Sequence, residues 1–316
     1  MGEYQKHLSE HPQLAARSAD SAARIERILE KLGGIGAFKD PGLTIFIAGS
    51  VARGESGKRS DLDLFVVTTK AFDVAKQEGF LAEIRKATVE LGYEAPTERF
   101  LKVLELAALL KNTGSPEDDT HNSFTARMLL LLESKSAIND DTYAFVRDQV
   151  LSQYFRDGRG KAVFRPLFLM NDVLRYWRTL CLNYEDLRHD RERPWWKKNA
   201  SLKFSRMMTV FATVAPLIIV EMGDKSDFQP LCDQTPLQRL SWVLDALNDK
   251  DLRGEYAQAL DDYESFLQWK EADIDAEAAR QGYARLRAKA DSLSSFLYRI
   301  LHRDSIPIER RKYLVI

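Results

Sequence analysis

Two aspartates one residue apart, Asp61 and Asp63, sit among leucines in the run SDLDLFVV, and a Gly-Ser pair, Gly49-Ser50, ends the apolar run LTIFIAG a short way upstream. On a β-strand, residues i and i+2 project to the same face. Asp61 and Asp63 are therefore expected side by side, with Leu62 and Leu64 anchoring the opposite face in a core. Adjacent carboxylates repel, and burying them is costly, unless a proton or a cation stands between them. A hard divalent ion, Mg²⁺ or Mn²⁺, suits two carboxylates and keeps positions open for water and substrate phosphates. Glycine lets a backbone approach a phosphate closely. The Ser50 hydroxyl and the amides that follow can then donate to it, helped by the positive end of a helical turn. Arg53 and Lys58 add charge along the same edge. Together these residues outline a site for nucleotidyl transfer.

These residues need a strand, a turn and a second strand to position them. LTIFIAG and LDLFVVTT read as the two strands, with Gly54, Ser56, Gly57 and Ser60 in the loop between. Residues 14–32 carry apolar residues at helical spacing and stop at Gly33-Gly34, and residues 71–91 form a second helix closing at Gly92. RFLKVLEL, Arg99 to Leu106, reads as a third strand or the start of a helix. Alternation favours the strand, with Leu101, Val103 and Glu105 on one face and Phe100, Lys102 and Leu104 on the other. KNTGSPEDDTHN is a loop, and almost everything after it reads as helix. Thr235-Pro236 opens one of those helices, and the tail DSIPIERRKYLVI ends the chain. The expected fold class is α+β: a small mixed-sheet domain over residues 1–120, followed by a mostly helical domain over 121–316 that lines the nucleotide cleft.

Composition narrows the class further. The chain has 316 residues, is 45% hydrophobic and 29% charged, and has a net charge of −1, which argues for a globular protein without a global basic field. Cys181 and Cys232 lie far apart in no metal-like spacing and read as reduced thiols of a cytoplasmic protein. The polar N-terminus is no signal peptide. The longest apolar stretch, Met207 to Met222, contains Pro216 and Glu221 and reads as a buried helix ending near Pro216, so no membrane partner is expected.

GSVARGESGKRSDLDLFV resembles the signature of the polymerase-β-like nucleotidyltransferase superfamily: Gly-Ser, a spacer, then Asp-x-Asp among hydrophobic residues. The Ala-Arg-Gly after the Gly-Ser and the Ser before the first Asp make it similar to the minimal and regulatory branches, which include the nucleotidyltransferase antitoxins and the uridylyltransferases of nitrogen signalling. TARMLLLLESKSAINDDTYAFV is similar, more weakly, to the helical segment that follows the catalytic domain in the uridylyltransferases. The resemblance implies one metal on Asp61 and Asp63 that binds a nucleoside triphosphate. It also implies a second metal, shared with a third carboxylate from a neighbouring strand, that activates the attacking hydroxyl. Glu105 is the expected third carboxylate, and Glu133 its rival.

Between Arg156 and Arg206 basic residues outnumber acidic ones by seven, in a chain that is otherwise acidic. That asymmetry suggests an anionic ligand. Tyr176, Trp177, Trp195 and Trp196 lie in the same region, and aromatic rings can stack a base. In related enzymes the helical domain clamps the triphosphate, which makes Arg175 with Arg178 and Lys203 with Arg206 the expected nucleotide contacts, each pair one helical turn apart. For residues 188–198 a solvated helix face is preferred. The expected reaction is template-independent transfer of a nucleoside monophosphate to a hydroxyl, yielding a nucleotide or an oligonucleotide, from a primer where one is used, in bacterial signalling or phage defence. The alternative acceptor is a Tyr, Ser or Thr of a partner protein or of the chain itself, with Tyr313 and Ser305 of the tail as acceptors in cis.

Overall fold

A computed structural model describes residues 3–96, 101–111, 113–115, 117–118, 122–158, 164–186, 195–272 and 276–314. The chain divides into two compact units. A sheet unit comprises Arg17–Lys161 with Asp224–Thr235, and a helical unit comprises Met1–Ala16, Ala162–Gly223 and Pro236–Ile316.

The sheet unit is built on four strands: β1 (Leu43–Ala48), β2 (Asp63–Thr68), β3 (Val103–Glu105) and β4 (Ser134–Ile138), in the order β3-β2-β1-β4. β1 is antiparallel to β2 and β4, and β2 is parallel to β3, so the sheet is mixed. β1 is buried along its whole length, as its unbroken apolar sequence LTIFIA requires of a strand covered on both faces. On one face Ile45, Ile47, Leu64 and Val66 pack with Ile28 and Leu32 of the helix Pro12–Gly33 and with Phe80, Leu81 and Ile84 of the helix Val74–Glu90. On the other face Phe46 stacks on its cross-strand partner Phe65, ring centroids 5.1 Å apart, and meets Tyr143 of the helix Asp140–Phe155.

β4 is an addition to the sequence reading, which has only helix after residue 120. It pairs with β1 through Ile45↔Ile138 and Ala48↔Ser134, and the first domain therefore extends past that boundary. Asn139 clips the end of β4 to the start of β1. It adopts φ +56°, and its side-chain amide donates to the carbonyls of Asp40 (2.8 Å) and Leu43 (2.5 Å). Thr44 Oγ1 donates to the Ile138 carbonyl at 2.7 Å, which satisfies a hydroxyl buried in the sheet. Residues 224–235 return to this unit through a helix, Lys225–Cys232. A reciprocal Asp224–Asp227 cap starts that helix, and ion pairs Lys225–Asp148 and Arg147–Asp233, both 2.6 Å, hold it.

In the helical unit, the helices Leu167–Asp186, Pro236–Leu247 and Ala276–Leu301 pack against an apolar helix, Met207–Ile219, and Lys250–Glu271 packs against Ala276–Leu301. Contrary to expectation, Pro216 lies inside that helix, which continues to Ile219. The whole helical run Trp195–Ile219 is long and apolar enough to cross a membrane, but 78% of its apolar window is buried inside the protein. The tail folds onto this core: Arg310 donates to the Ile219 carbonyl at 2.9 Å and pairs with Glu221, capping the last carbonyls of the helix.

One buried ion pair ties the loop after β3 to the sheet unit. Arg127, on the helix Ser123–Leu132, makes a bidentate pair with Asp118, and neither side chain is exposed. Arg127 also donates to the Leu109 carbonyl (2.9 Å) and the Tyr154 hydroxyl (3.3 Å). Burial works against its charge, but the Asp118 carboxylate and the Tyr154 hydroxyl prevail and hold the guanidinium above its ordinary pKa. Breaking such a pair strands one charge in the interior. Arg127→Met is accordingly expected to cost about 3–5 kcal/mol, read as a lower urea midpoint. Arg127→Met/Asp118→Leu, which removes both charges, is expected to recover part of that loss.

Candidate active site

β1 runs into a sharp turn. Ala48 is extended, Gly49 has φ +74°, and Gly49–Ala52 form a single helical turn. Asp63 is the cross-strand partner of Ala48, and its carboxylate lies directly over the turn: a methyl group placed on Gly49 would stand 2.3 Å from Asp63 Oδ2. Two independent constraints, the left-handed φ and the close carboxylate, thus require glycine at position 49. The turn is closed by Arg53 N to Gly49 O (3.0 Å) and Glu55 N to Ser50 O (2.9 Å). The first amides of such a turn have no acceptor within it and point outward from its start. Ser50 is half-buried beside them. Asp61 and Asp63 are both exposed, while Leu62 and Leu64 are buried, an exposure pattern that matches the expected alternation, although β2 itself begins only at Asp63.

Beneath the turn lies a buried network. Arg53, 4% exposed, donates from Nε to Glu55 (2.9 Å) and from Nη1 to Glu133 (2.5 Å). Glu133 caps the helix Ser123–Leu132 and directly precedes Ser134, which pairs with Ala48. The loop that follows the turn is held from the N-terminal helix. Ser56 N donates to Ser21 Oγ at 3.0 Å, and Arg17 reaches the carbonyls of Glu55 and Ser56. Gly57 N donates to Ser60 Oγ at 2.9 Å, closing the approach to Asp61. Arg53, expected along the nucleotide edge, is therefore turned inward onto two carboxylates, and Glu133 is engaged with it.

Glu105 does not join the aspartates, for two reasons. Its partner on β2 is Thr68, at the end of the strand remote from Asp63. Paired residues of neighbouring strands also share a face, so Glu105 lies on the face of Thr68, Val66 and Leu64, opposite to Asp63. Its Oε1 accepts from the Phe72 amide at 3.2 Å. Among the described residues, no group of three or more His, Cys, Asp or Glu side chains is placed to hold a metal ion.

The structure brings Gly49 and Asp63 together, with Ser50 next in the turn, and Asp61 is exposed two residues before Asp63. The remaining expected contacts belong to the helical unit. Arg175 lies 3.4 Å from the buried Asp172 of its own helix, and Arg178 is exposed. Lys203 lies 3.5 Å from Asp291. Lys203 and Arg206 stand on a π-helical segment, Leu202–Arg206, whose wider turn spreads residues three apart over more of the circumference than an α-helix does. Tyr176 is buried, and Trp177 packs edge-on against Phe211, so these two rings serve the core. Arg188, Arg191 and Arg193, with Arg99 and Phe100, lie outside the described residues.

Residues 25–110 match the model of the nucleotidyltransferase domain family. The protein carries a nucleotidyltransferase domain and is a transferase. The matched span includes the Gly49 turn, both aspartates and β1 to β3, consistent with a polymerase-β-like enzyme. No curated protein matches the chain.

Two substitutions test the geometry of the nucleotidyltransferase site. Gly49→Ala forces a left-handed alanine, at about 1–2 kcal/mol, and displaces Asp63. A modest fall in Tm with a roughly hundredfold loss of nucleotidyl transfer is expected, since about 1 Å of misplacement can cost that much. Arg53→Met leaves two buried carboxylates without their cation and is expected to lose about 3–5 kcal/mol in urea unfolding.

Proposed function

We propose that the protein is a metal-dependent, template-independent nucleotidyltransferase of the cytoplasm. It transfers a nucleoside monophosphate from an NTP or dNTP to a hydroxyl and makes a nucleotide or oligonucleotide product, in bacterial signalling or phage defence. The observation that carries this reading is the Asp63 carboxylate held over the Gly49 turn, with Asp61, also exposed, two residues before it. This donor set fits a hard divalent ion, because Mg²⁺ is commonly held by one or two carboxylates and completed by substrate phosphates. Mg²⁺ or Mn²⁺ bound there would supply charge neutralisation and polarisation of the phosphoryl oxygens.

The chain's own residues do the rest. Gly49 admits the triphosphate to contact distance with the backbone, and the Ser50 hydroxyl and the outward amides of the turn donate to its oxygens. The acceptor oxygen attacks the α-phosphorus in line. A new P–O bond forms as the bond to the bridging oxygen breaks, pyrophosphate leaves, and the proton of the acceptor hydroxyl passes to solvent. Asp61 and Asp63 would hold the divalent ion beside the turn, and such positioning and charge stabilisation supply most of the rate in this chemistry.

The test is incubation of the purified protein with each α-³²P-labelled NTP and dNTP, with Mg²⁺ or Mn²⁺, resolved on a sequencing gel and a protein gel. A labelled nucleotide product or ladder is expected, reduced by about three orders of magnitude in Asp61→Ala/Asp63→Ala. Label that stays on the protein would replace this reading with protein nucleotidylation, and the absence of any aspartate-dependent product would overturn both.

A further inference from the structure

Leu101, two residues before β3, and Val103, which opens it, face the core that contains Leu64 and Val66; Leu101 is buried within it and Val103 packs against it. Lys102, between them, is exposed and points to the other face of the sheet. That is the face of Asp61, Asp63 and Phe65, because Val103 pairs with Val66 in parallel register and Lys102 precedes it as Phe65 precedes Val66. Lys102 thus stands one pleat along from Asp63 on the neighbouring strand, at a Cα separation of about 8 Å from the strand spacing and rise. A flexible four-carbon stem with an ammonium at its end spans such a gap readily.

The charge of the site gives that lysine a task. A triphosphate brings more negative charge than one divalent ion can offset when two carboxylates already share the ion. Arg53, which follows the Gly49 turn, is buried on Glu55 and Glu133, while Lys58 and Arg59 are exposed on the loop before Asp61, and Lys102 adds a cation from the neighbouring strand. Among the described residues from 101 to 105, those that alternation places on the aspartate face are Lys102, directly before β3, and Leu104, a cation and no carboxylate. Resting on the proposed function, we infer that Lys102 is a triphosphate-binding residue. Its ammonium neutralises phosphate oxygens on the face of the sheet that carries Asp61 and Asp63.

The test is the affinity of the full chain for ATP, GTP, CTP and UTP, each titrated calorimetrically in Mg²⁺ buffer. Lys102→Ala is expected to weaken the best-bound triphosphate about tenfold or more and to flatten the salt dependence of binding, with Lys102→Arg restoring most of it. Lys102→Glu should weaken it further. Lys70→Glu makes the same charge change at the far end of β2 and is expected to leave affinity within about twofold. Unchanged binding by Lys102→Glu overturns this inference alone, as does an equal loss in Lys70→Glu. If the unsubstituted protein binds none of the four, the inference falls together with the proposed function.

Discussion

The candidate site depends on one cross-strand register, Ala48 opposite Asp63. A slip of one residue in a strand pair sends every side chain to the other face. Here it would drive Asp61 and Asp63 into the apolar layer now held by Leu62 and Leu64, where unpaired carboxylates are costly. The register is locked from both sides of β1. Ile45 and Ile47 are packed with Leu64 and Val66 on one face, and the Phe46–Phe65 stack occupies the other. Thr44 and Asn139 bond β1 to the end of β4. With the strands so fixed, the Asp63 carboxylate has no place but over Gly49, and the backbone turns away at that residue because glycine alone fits both the φ and the contact.

Charge is sorted in this unit by what burial permits. Arg53, Arg127 and Arg147 are each buried, and each faces a carboxylate partner. For Arg147, burial opposes the charge, but Tyr143 and Asp233 raise its pKa overall. Buried arginines of this kind tie elements together: Arg53 joins the Gly49 turn to the start of β4, Arg127 joins Asp118 to the helix Ser123–Leu132, and Arg147 joins the helix Asp140–Phe155 to Asp233 at the end of the helix Lys225–Cys232. Proximity in sequence to a Gly-Ser turn therefore does not put an arginine in contact with ligand. Lys102, about forty residues from the aspartates in sequence, directly precedes the strand that pairs beside them.

Much of this was legible before the fold. The Gly-Ser turn, the alternation that exposes Asp61 and Asp63, β1, β2 and the helical second half all follow from local pattern. The exclusion of Glu105 does not. Alternation correctly placed Leu101, Val103 and Glu105 on one face of β3, but which face that is depends on pairing with β2, a non-local fact. β4 was missed because Ser134, Lys135 and Ser136 are weak strand formers, and only the end of the segment is apolar. The π-helical segment at Lys203 leaves no signal in a pattern that reads as continuous helix. Asp118 looked like one more polar residue of a loop, and nothing local marks it as the partner of Arg127.

The family match ends at residue 110, but the physical unit does not. Stopping the chain near residue 120 would remove β4 and leave β1, a wholly apolar strand, as an open edge, which invites pairing with other chains. It would also take Glu133 from Arg53 and Arg127 from Asp118, stranding charges in the interior. The segment 224–235 returns from the helical unit to supply Asp233 to Arg147 and Lys225 to Asp148. The aspartates and the Gly49 turn carry the signature of the chemistry. Their geometry, however, is set by residues beyond the matched span, so the catalytic domain is better defined by its sheet and its buried ion pairs than by the extent of its sequence signature.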